Sequence, residues 1–117
     1  MFSISQSSHR DSILQVTIDL NPTHGIFKSH FPGHPITPGV IQLKIVQELL
    51  EVHLKKTLVL EQVISAKFLN LIDPTTITSI DIFIQCKNEN VNRFSVRAKG
   101  HKDQIIFFSF SMVYETK

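Results

Sequence analysis

Several residue types that define whole classes of protein are scarce in this chain. Cys86 is the only cysteine among 117 residues, which excludes an internal disulfide and a cysteine-rich metal site. No apolar run approaches the roughly 18 residues needed to span a bilayer. The N-terminal segment also lacks the apolar stretch of a signal peptide. We therefore expect a soluble cytoplasmic protein that has no membrane partner.

Charge of either sign is sparse as well. Charged residues make up 19% of the chain and the formal net charge is +2, a balance too mild to favour nucleic acid as a partner. Polar low-complexity stretches are missing, and the hydrophobic fraction of 42%, with nine Phe, is enough for a sizeable core. At this length, residues 1–117 are expected to form a single domain.

Glycine and proline are few, yet they gather in one stretch, "HFPGHPITPGV", at residues 30–40. Directly after it, apolar residues recur at three- and four-residue steps, which predicts one long helix from Pro38 to Lys56. Pro38 suits the first turn and the two final lysines suit the last turn of such a helix. Because apolar residues occupy most of the helix surface, we expect the helix to be largely buried.

The rest of the chain alternates with a period of two. This pattern predicts one strand before the loop and four after the helix, at residues 12–20, 58–72, 77–87, 93–99 and 104–115. Short turns between the later strands favour antiparallel neighbours. A curved antiparallel sheet around one buried helix is an α+β hot-dog fold. Its Ile- and Phe-rich edge strands would need cover, which predicts a homodimer or a higher oligomer.

The proline-rich loop carries a family resemblance. "GIFKSHFPGHPITPGV" resembles the signature of the 3-hydroxyacyl-acyl-carrier-protein dehydratases, and "AKFLNLIDPTT" at residues 66–76 resembles a later strand and turn of that family. The resemblance implies a hot-dog fold and dehydration of a 3-hydroxyacyl thioester to the trans-2-enoyl thioester. The pathway would be fatty-acid or specialised, polyene-type acyl biosynthesis. The substrate would hang from the phosphopantetheine arm of an acyl carrier protein, with no other cofactor.

The same resemblance assigns roles to individual residues. His30 would be the catalytic base, and Gly39 would offer its backbone N–H to the thioester carbonyl. Phe27, Phe31 and Val40 would line the substrate-binding site. These roles agree with general chemistry, because imidazole titrates near neutral pH and a helix N-terminus stabilises a developing negative charge.

One position departs from the family pattern. The family's acid is a carboxylate fourteen residues after the catalytic histidine, and the residue here is Lys44. In one alternative, Glu48 supplies the acid from the next helical turn. In another, Lys44 donates the proton itself, because burial can make an ammonium group more acidic. In the third, Lys44 and Glu48 form an ordinary i,i+4 pair. Dehydration is then lost, and the protein is an acyl-binding or partner subunit of a hot-dog heteromer.

A thioesterase site and a metal site are the two other classes of site that the sequence brings into question. A hot-dog thioesterase is a second enzyme class, although its helix usually lacks the histidine-rich loop. The three histidines at positions 24, 30 and 34 are spread across a proline-rich loop with no carboxylate close by, so we expect no metal site. By the family resemblance, His34 would have a structural role.

The basic residues Arg93, Arg97, Lys99 and Lys102 gather late in the chain. They are either solvated strand faces and turns or a docking patch for an acidic partner, such as the carrier protein.

The remaining polar residues have structural interpretations. Asp73 is predicted to form a turn, and Cys86 is predicted to fill the core from the apolar face of a strand. His9, His53 and His101 are predicted to lie on the surface.

Overall fold

A computed structural model describes residues 2–10, 13–20, 39–73 and 75–117. One antiparallel sheet of six strands, in the order β1-β2-β4-β5-β6-β3, is combined with a single helix. The helix and the five predicted strands are confirmed in position, and so is the hot-dog fold. The elements are β1 (Phe2–Arg10), β2 (Ile13–Leu20), α1 (Gly39–Leu54), β3 (Leu58–Phe68), β4 (Ser79–Asn90), β5 (Arg93–Lys102) and β6 (Ile105–Thr116).

Strand β1 was missed by the sequence pattern. It pairs antiparallel with β2 along its whole length, from Phe2 opposite Leu20 to Arg10 opposite Ile13. Every residue of β1 after Phe2 is exposed. An edge strand with so little buried surface needs no apolar alternation, so its sequence carries little of the period-two signal.

The sheet has two unlike faces. Its inner face packs against α1 and its outer face points away from the helix. Alternate residues of the two central strands are buried on the inner face, where they join the helix in one core: Ile80, Ile82, Ile84, Phe94, Val96 and Ala98. Their chain neighbours therefore point to the outer face.

Helix α1 buries one stripe of its surface. The buried residues are Ile41, Gln42, Ile45, Val46, Leu49 and Leu50. On the other side, Val40 is 69% exposed and Val52 is 67% exposed. The expectation of a largely buried helix is therefore wrong for one chain alone, because the sheet of a single chain covers only one side of the helix. The uncovered side is available to a second subunit.

The end of α1 is tied to the start of β3. Lys55 has a positive φ of 56°, and the N–H of Lys56 donates to the carbonyl of Glu51 at 3.3 Å, which closes the helix in the usual left-handed manner. The Glu51 carboxylate accepts the N–H of Leu58, and the Gln47 amide donates to the carbonyl of Leu58, both at 2.9 Å. These bonds fix the first residue of β3 against the helix.

Strand β3 forms an apolar edge of the sheet. Among the described residues it pairs only with β6, through a register with two irregularities. It ends at Phe68, earlier than predicted. Five residues later the chain turns at Asp73, whose carboxylate accepts the N–H of Thr75 at 2.9 Å. The turn predicted for Asp73 is confirmed. The exposed apolar residues along this edge, here called the β3 edge, are Val59, Val63, Ile64, Phe68, Leu69 and Leu71.

Candidate functional site

The N-terminus of α1 lies under an aromatic ring. Gly39 is the first residue of the helix, and a Cβ atom at this position would lie 2.9 Å from Cζ of Phe68. The Phe68 ring therefore occupies the space that any side chain at position 39 would need. Glycine is thus the residue that fits beneath the ring, and the first N–H groups of a helix have no partner within the helix and can donate to a ligand.

The Phe68 ring over this terminus is the first of three contacting aromatic rings on two strands. Phe68 of β3 contacts Phe110 of β6 edge to face, with 5.4 Å between ring centroids. Phe110 in turn stacks on Phe108 at 4.5 Å. Both β6 rings are buried, whereas Phe68 is 50% exposed. The helix N-terminus thus lies beside an apolar wall, where its partial positive charge acts more strongly than in water.

Only part of the predicted site lies in the described residues. Gly39 and Val40 are described, and the exposed Val40 side chain points away from the core of its own chain. Phe27, His30 and Phe31 lie outside the described residues. The role of His30 as the base therefore stays a prediction from the sequence resemblance.

The two candidate acids lie one turn apart on α1. Lys44 is exposed and Glu48 is half-buried. Within the described residues no ion pair joins them, since the salt bridges found there belong to Arg93. The structural role suggested for the pair is therefore not seen in the single chain. Among the described residues, nothing buries Lys44 in the way that its role as a proton donor would require.

Replacing Gly39 by alanine should damage the site more than the fold. The new methyl group would displace the Phe68 ring, which is half-exposed and free to swing outward. If the site binds the thioester that the sequence resemblance implies, a displaced wall moves that thioester, and misplacement of about 1 Å costs on the order of a hundredfold in rate. We expect kcat/KM for a thioester substrate to fall by that order, with little change in thermal stability. The double variant with Phe68→Ala should recover part of the rate, and an unchanged rate in Gly39→Ala would contradict the assignment.

A second cluster lies at the opposite end of the helix. The ring of His53, in the last turn of α1, contacts the ring of His9 on β1 with 4.5 Å between centroids. Behind them is a cavity of about 280 Å³ whose lining includes Leu50 and Cys86. His9 is exposed, as predicted, but His53 is half-buried. Burial lowers the pKa of His53, and the charge of His9 lowers it further.

Cys86 lies on the inner face of β4 and packs against the core. Burial raises the pKa of its thiol, so the reactive thiolate is disfavoured. The role predicted for Cys86, a core filler, is confirmed.

The shifted pKa of His53 predicts an acid-labile fold. The pKa of His53 in the folded chain lies below its ordinary value of 6.5. Between those two values the unfolded chain binds more protons, so stability rises with pH and is lost as the pH falls below about 6.5. Urea unfolding at pH 7.5 and 5.0 measures this loss. His53→Gln should reduce the difference between the two midpoints, and His9→Gln should reduce it in part. An undiminished difference in His53→Gln would show that other groups cause it.

The predicted basic patch is smaller than its sequence suggests. Arg93 forms ion pairs with Glu61 at 3.1 Å and with Glu115 at 3.7 Å. The Lys102 ammonium donates to the Ser79 hydroxyl at 2.7 Å. Arg93 is therefore already paired with carboxylates of the same chain, in contrast to Arg97 and Lys99, which form no ion pair among the described residues.

The described residues contain neither a cluster of metal-ligating side chains nor a helix suited to a membrane. No cluster of three or more His, Cys, Asp or Glu side chains in this part of the chain could hold a metal ion. In the same residues, no helix combines the length and the hydropathy needed to cross a membrane.

Comparison with known proteins gives a consistent result. The sequence matches the family described as ApeI-like (ApeI dehydratase) over residues 5–107. The dehydratase heterocomplex ApeI:P from Xenorhabdus doucetiae contains a chain of similar structure, with a TM-score of 0.76 and 19% identity over 97% of this chain and 96% of that one. A hypothetical thioesterase with coenzyme A from Streptococcus pneumoniae has a TM-score of 0.68 and 11% identity, over 100% of this chain and 86% of that one. No curated protein matches the chain.

Proposed function

Because the chain belongs to the ApeI-like dehydratase family, we propose that it dehydrates a 3-hydroxyacyl thioester to the trans-2-enoyl thioester. One observation of the structure carries the proposal, namely a glycine that begins α1 beneath the ring of Phe68. Such a terminus suits the thioester oxygen, which gains negative charge when a proton leaves the neighbouring carbon.

The proposed reaction divides its work among three groups, a base, an N–H donor and an acid. His30 removes a proton from the carbon next to the thioester carbonyl. The N–H of Gly39 donates to the carbonyl oxygen as charge develops there. Lys44 or Glu48 protonates the departing hydroxyl, which leaves as water. Because the reaction moves only protons and water, it requires no metal and no organic cofactor beyond the phosphopantetheine that carries the substrate.

We further propose that the substrate is carried by an acyl carrier protein and that the pathway is fatty-acid or specialised acyl biosynthesis. The resemblance of the proline-rich loop supports this substrate class. The apolar wall formed by Phe68 and Phe110 is compatible with an acyl chain next to the thioester.

The site is proposed to be completed by a second subunit. Val40 and the Phe68 end of the β3 edge are exposed, and Phe68 covers the helix N-terminus, so a subunit packed on that end would also enclose the substrate. A homodimer satisfies this need. The alternative is a heteromer in which this chain is the acyl-binding or partner subunit, and the Lys at the acid position favours it. The similar Xenorhabdus structure is itself a heterocomplex.

A single assay separates these functions. Crotonyl-pantetheine absorbs in the ultraviolet, and hydration of its double bond, the reverse of dehydration, removes that absorbance. We expect absorbance to fall without release of free thiol. Thiol release would instead establish a thioesterase. If neither signal is seen with short, medium and long enoyl chains, the partner-subunit function replaces the enzymatic one.

Substitution of Lys44 tests the departure from the family pattern. Lys44→Glu is expected to keep or raise turnover, because it returns a carboxylate to the family's acid position. Lys44→Met, which removes the charge without adding an acid, is the control. A complete loss of turnover in both variants would show that Lys44 itself donates the proton. Loss only in Glu48→Gln would assign the acid to Glu48, about 6 Å further along the helix axis.

A further inference from the structure

The outer face of the sheet contains a furrow that the proposed reaction does not use. It is a cavity of about 1090 Å³, on the side of the sheet opposite to α1. Arg97 and Lys99 of β5 lie at its centre, and Phe83, Gln85, Ser109 and Ser111 flank them on β4 and β6.

The strand register explains why a furrow forms here. Lys99 lies between Phe83 on one side and Ser109 on the other, and Arg97 lies between Gln85 and Ser111. The two serines of β6 are small, so they leave a depression beside the long side chains of β5. Their hydroxyls are hydrogen-bond donors next to each cation.

The two cations of the furrow are not paired with a carboxylate in the described part of the chain. Among the described residues, neither Arg97 nor Lys99 forms an ion pair, in contrast to Arg93 on the same strand. They are two residues apart on one face, which places their Cα atoms roughly 7 Å apart. The only carboxylate in the lining is Asp103, in the β5–β6 turn. A guanidinium fork, an ammonium and nearby hydroxyls together suit phosphate oxygens.

One wall of the furrow is aromatic. The rings of Phe83 and His101 stack with 5.2 Å between centroids and are parallel to within 5°. The Nε2 atom of His101 is buried and has no hydrogen-bond partner among the described residues. The remaining apolar lining includes Ile13 and Ile64. Such a wall suits a planar apolar group attached to the phosphates.

The charges also restrict what occupies the furrow. A second copy packed here by a two-fold axis would set the same cations against their own mates, which like-charge repulsion disfavours. A carrier protein here would have to deliver its arm around the sheet, since Gly39 packs on the inner side. We propose that the furrow binds a nucleoside diphosphate, with its phosphates on Arg97 and Lys99 and its base against the Phe83–His101 wall.

Calorimetric titration of the full chain with adenosine 5′-diphosphate tests this site, with inorganic pyrophosphate as the comparison ligand. We expect the nucleotide to bind about tenfold or more tightly than pyrophosphate, because only the nucleotide uses the aromatic wall. The double variant R97Q/K99Q should weaken binding of the nucleotide by at least about tenfold. Phe83→Ala should weaken the nucleotide and leave pyrophosphate unchanged.

Lys87→Gln is the matched control, because Lys87 is an exposed cation on β4 outside the furrow. An equal loss in this control would show non-specific anion binding and overturn the proposal. Pyrophosphate binding as tightly as the nucleotide, or no binding of either at millimolar concentration, would overturn it too. So would an R97Q/K99Q variant whose sole defect is a raised KM for carrier-bound substrate, which would assign the furrow to the carrier protein.

Discussion

His30→Ala is expected to reduce turnover of an enoyl or 3-hydroxyacyl thioester by about 10²–10⁴-fold, the usual contribution of a positioned general base. The alanine variant keeps Gly39 and the aromatic wall, so it should still bind the thioester with nearly unchanged KM. The measurement is kcat and KM in the crotonyl-pantetheine assay, with circular dichroism to verify the fold. A rate equal to that of the unmodified chain would exclude His30 as the base.

His34→Ala is the matched control for that experiment. It removes an imidazole from the same loop, four residues away, and a structural histidine should affect stability more than the chemical step. We therefore expect a lower melting temperature and a kcat within a few-fold of normal at low temperature. If His34→Ala loses activity as completely as His30→Ala does, the two histidines act together and the single-base assignment is wrong.

Gly100→Ala is expected to destabilise the fold by about 1–3 kcal/mol, the usual cost of overpacking a core. A Cβ at Gly100 would lie 2.5 Å from Cζ of Phe108 and would also collide with two other atoms of that ring. Phe108 is only 2% exposed and stacks on Phe110, so the ring has nowhere to move. The measurement is the free energy of unfolding by urea.

Two variants make the Gly100 prediction specific. Phe108→Leu combined with Gly100→Ala should be less destabilising than the sum of the single changes, because the smaller side chain removes the collision. Gly39→Ala is the matched glycine control, since the ring it meets, Phe68, is half-exposed and can yield. Equal losses of stability in Gly39→Ala and Gly100→Ala would mean that burial of the facing ring does not decide the cost.

The helix and the strands after it were predictable because their apolar residues follow the period of their own structure. The alternation of Ile80, Ile82 and Ile84 marks β4 as half-buried without any knowledge of its neighbours. Strand β1 could not be found in this way, since its exposed residues follow no apolar pattern. The sequence also predicted too much burial for α1, because local periodicity does not show how many strands cover a helix.

The candidate site was predictable only where a short local motif defines it. The motif identifies Gly39 as the start of a helix, but the cover provided by Phe68 comes from a strand 29 positions later and depends on packing. The ion pairs of Arg93 and the position of Ser109 beside Lys99 depend on cross-strand register. A shift of one residue in that register would reverse which side chains face outward. No local sequence pattern determines the register.

The open β3 edge makes the stability of this protein depend on the concentration of the subunit that covers it. In the described part of the chain β3 has a sheet neighbour on one side only, and an edge strand with protruding Val and Phe side chains is a template for another strand. A subunit that binds this edge binds only the folded chain, and by mass action it therefore raises the apparent stability of the fold. Dilution should therefore lower the midpoint temperature of unfolding. Overproduction of this chain without the covering subunit should lead to aggregation. The amount of folded protein in a cell would then depend on the synthesis of the covering subunit as strongly as on the synthesis of this chain.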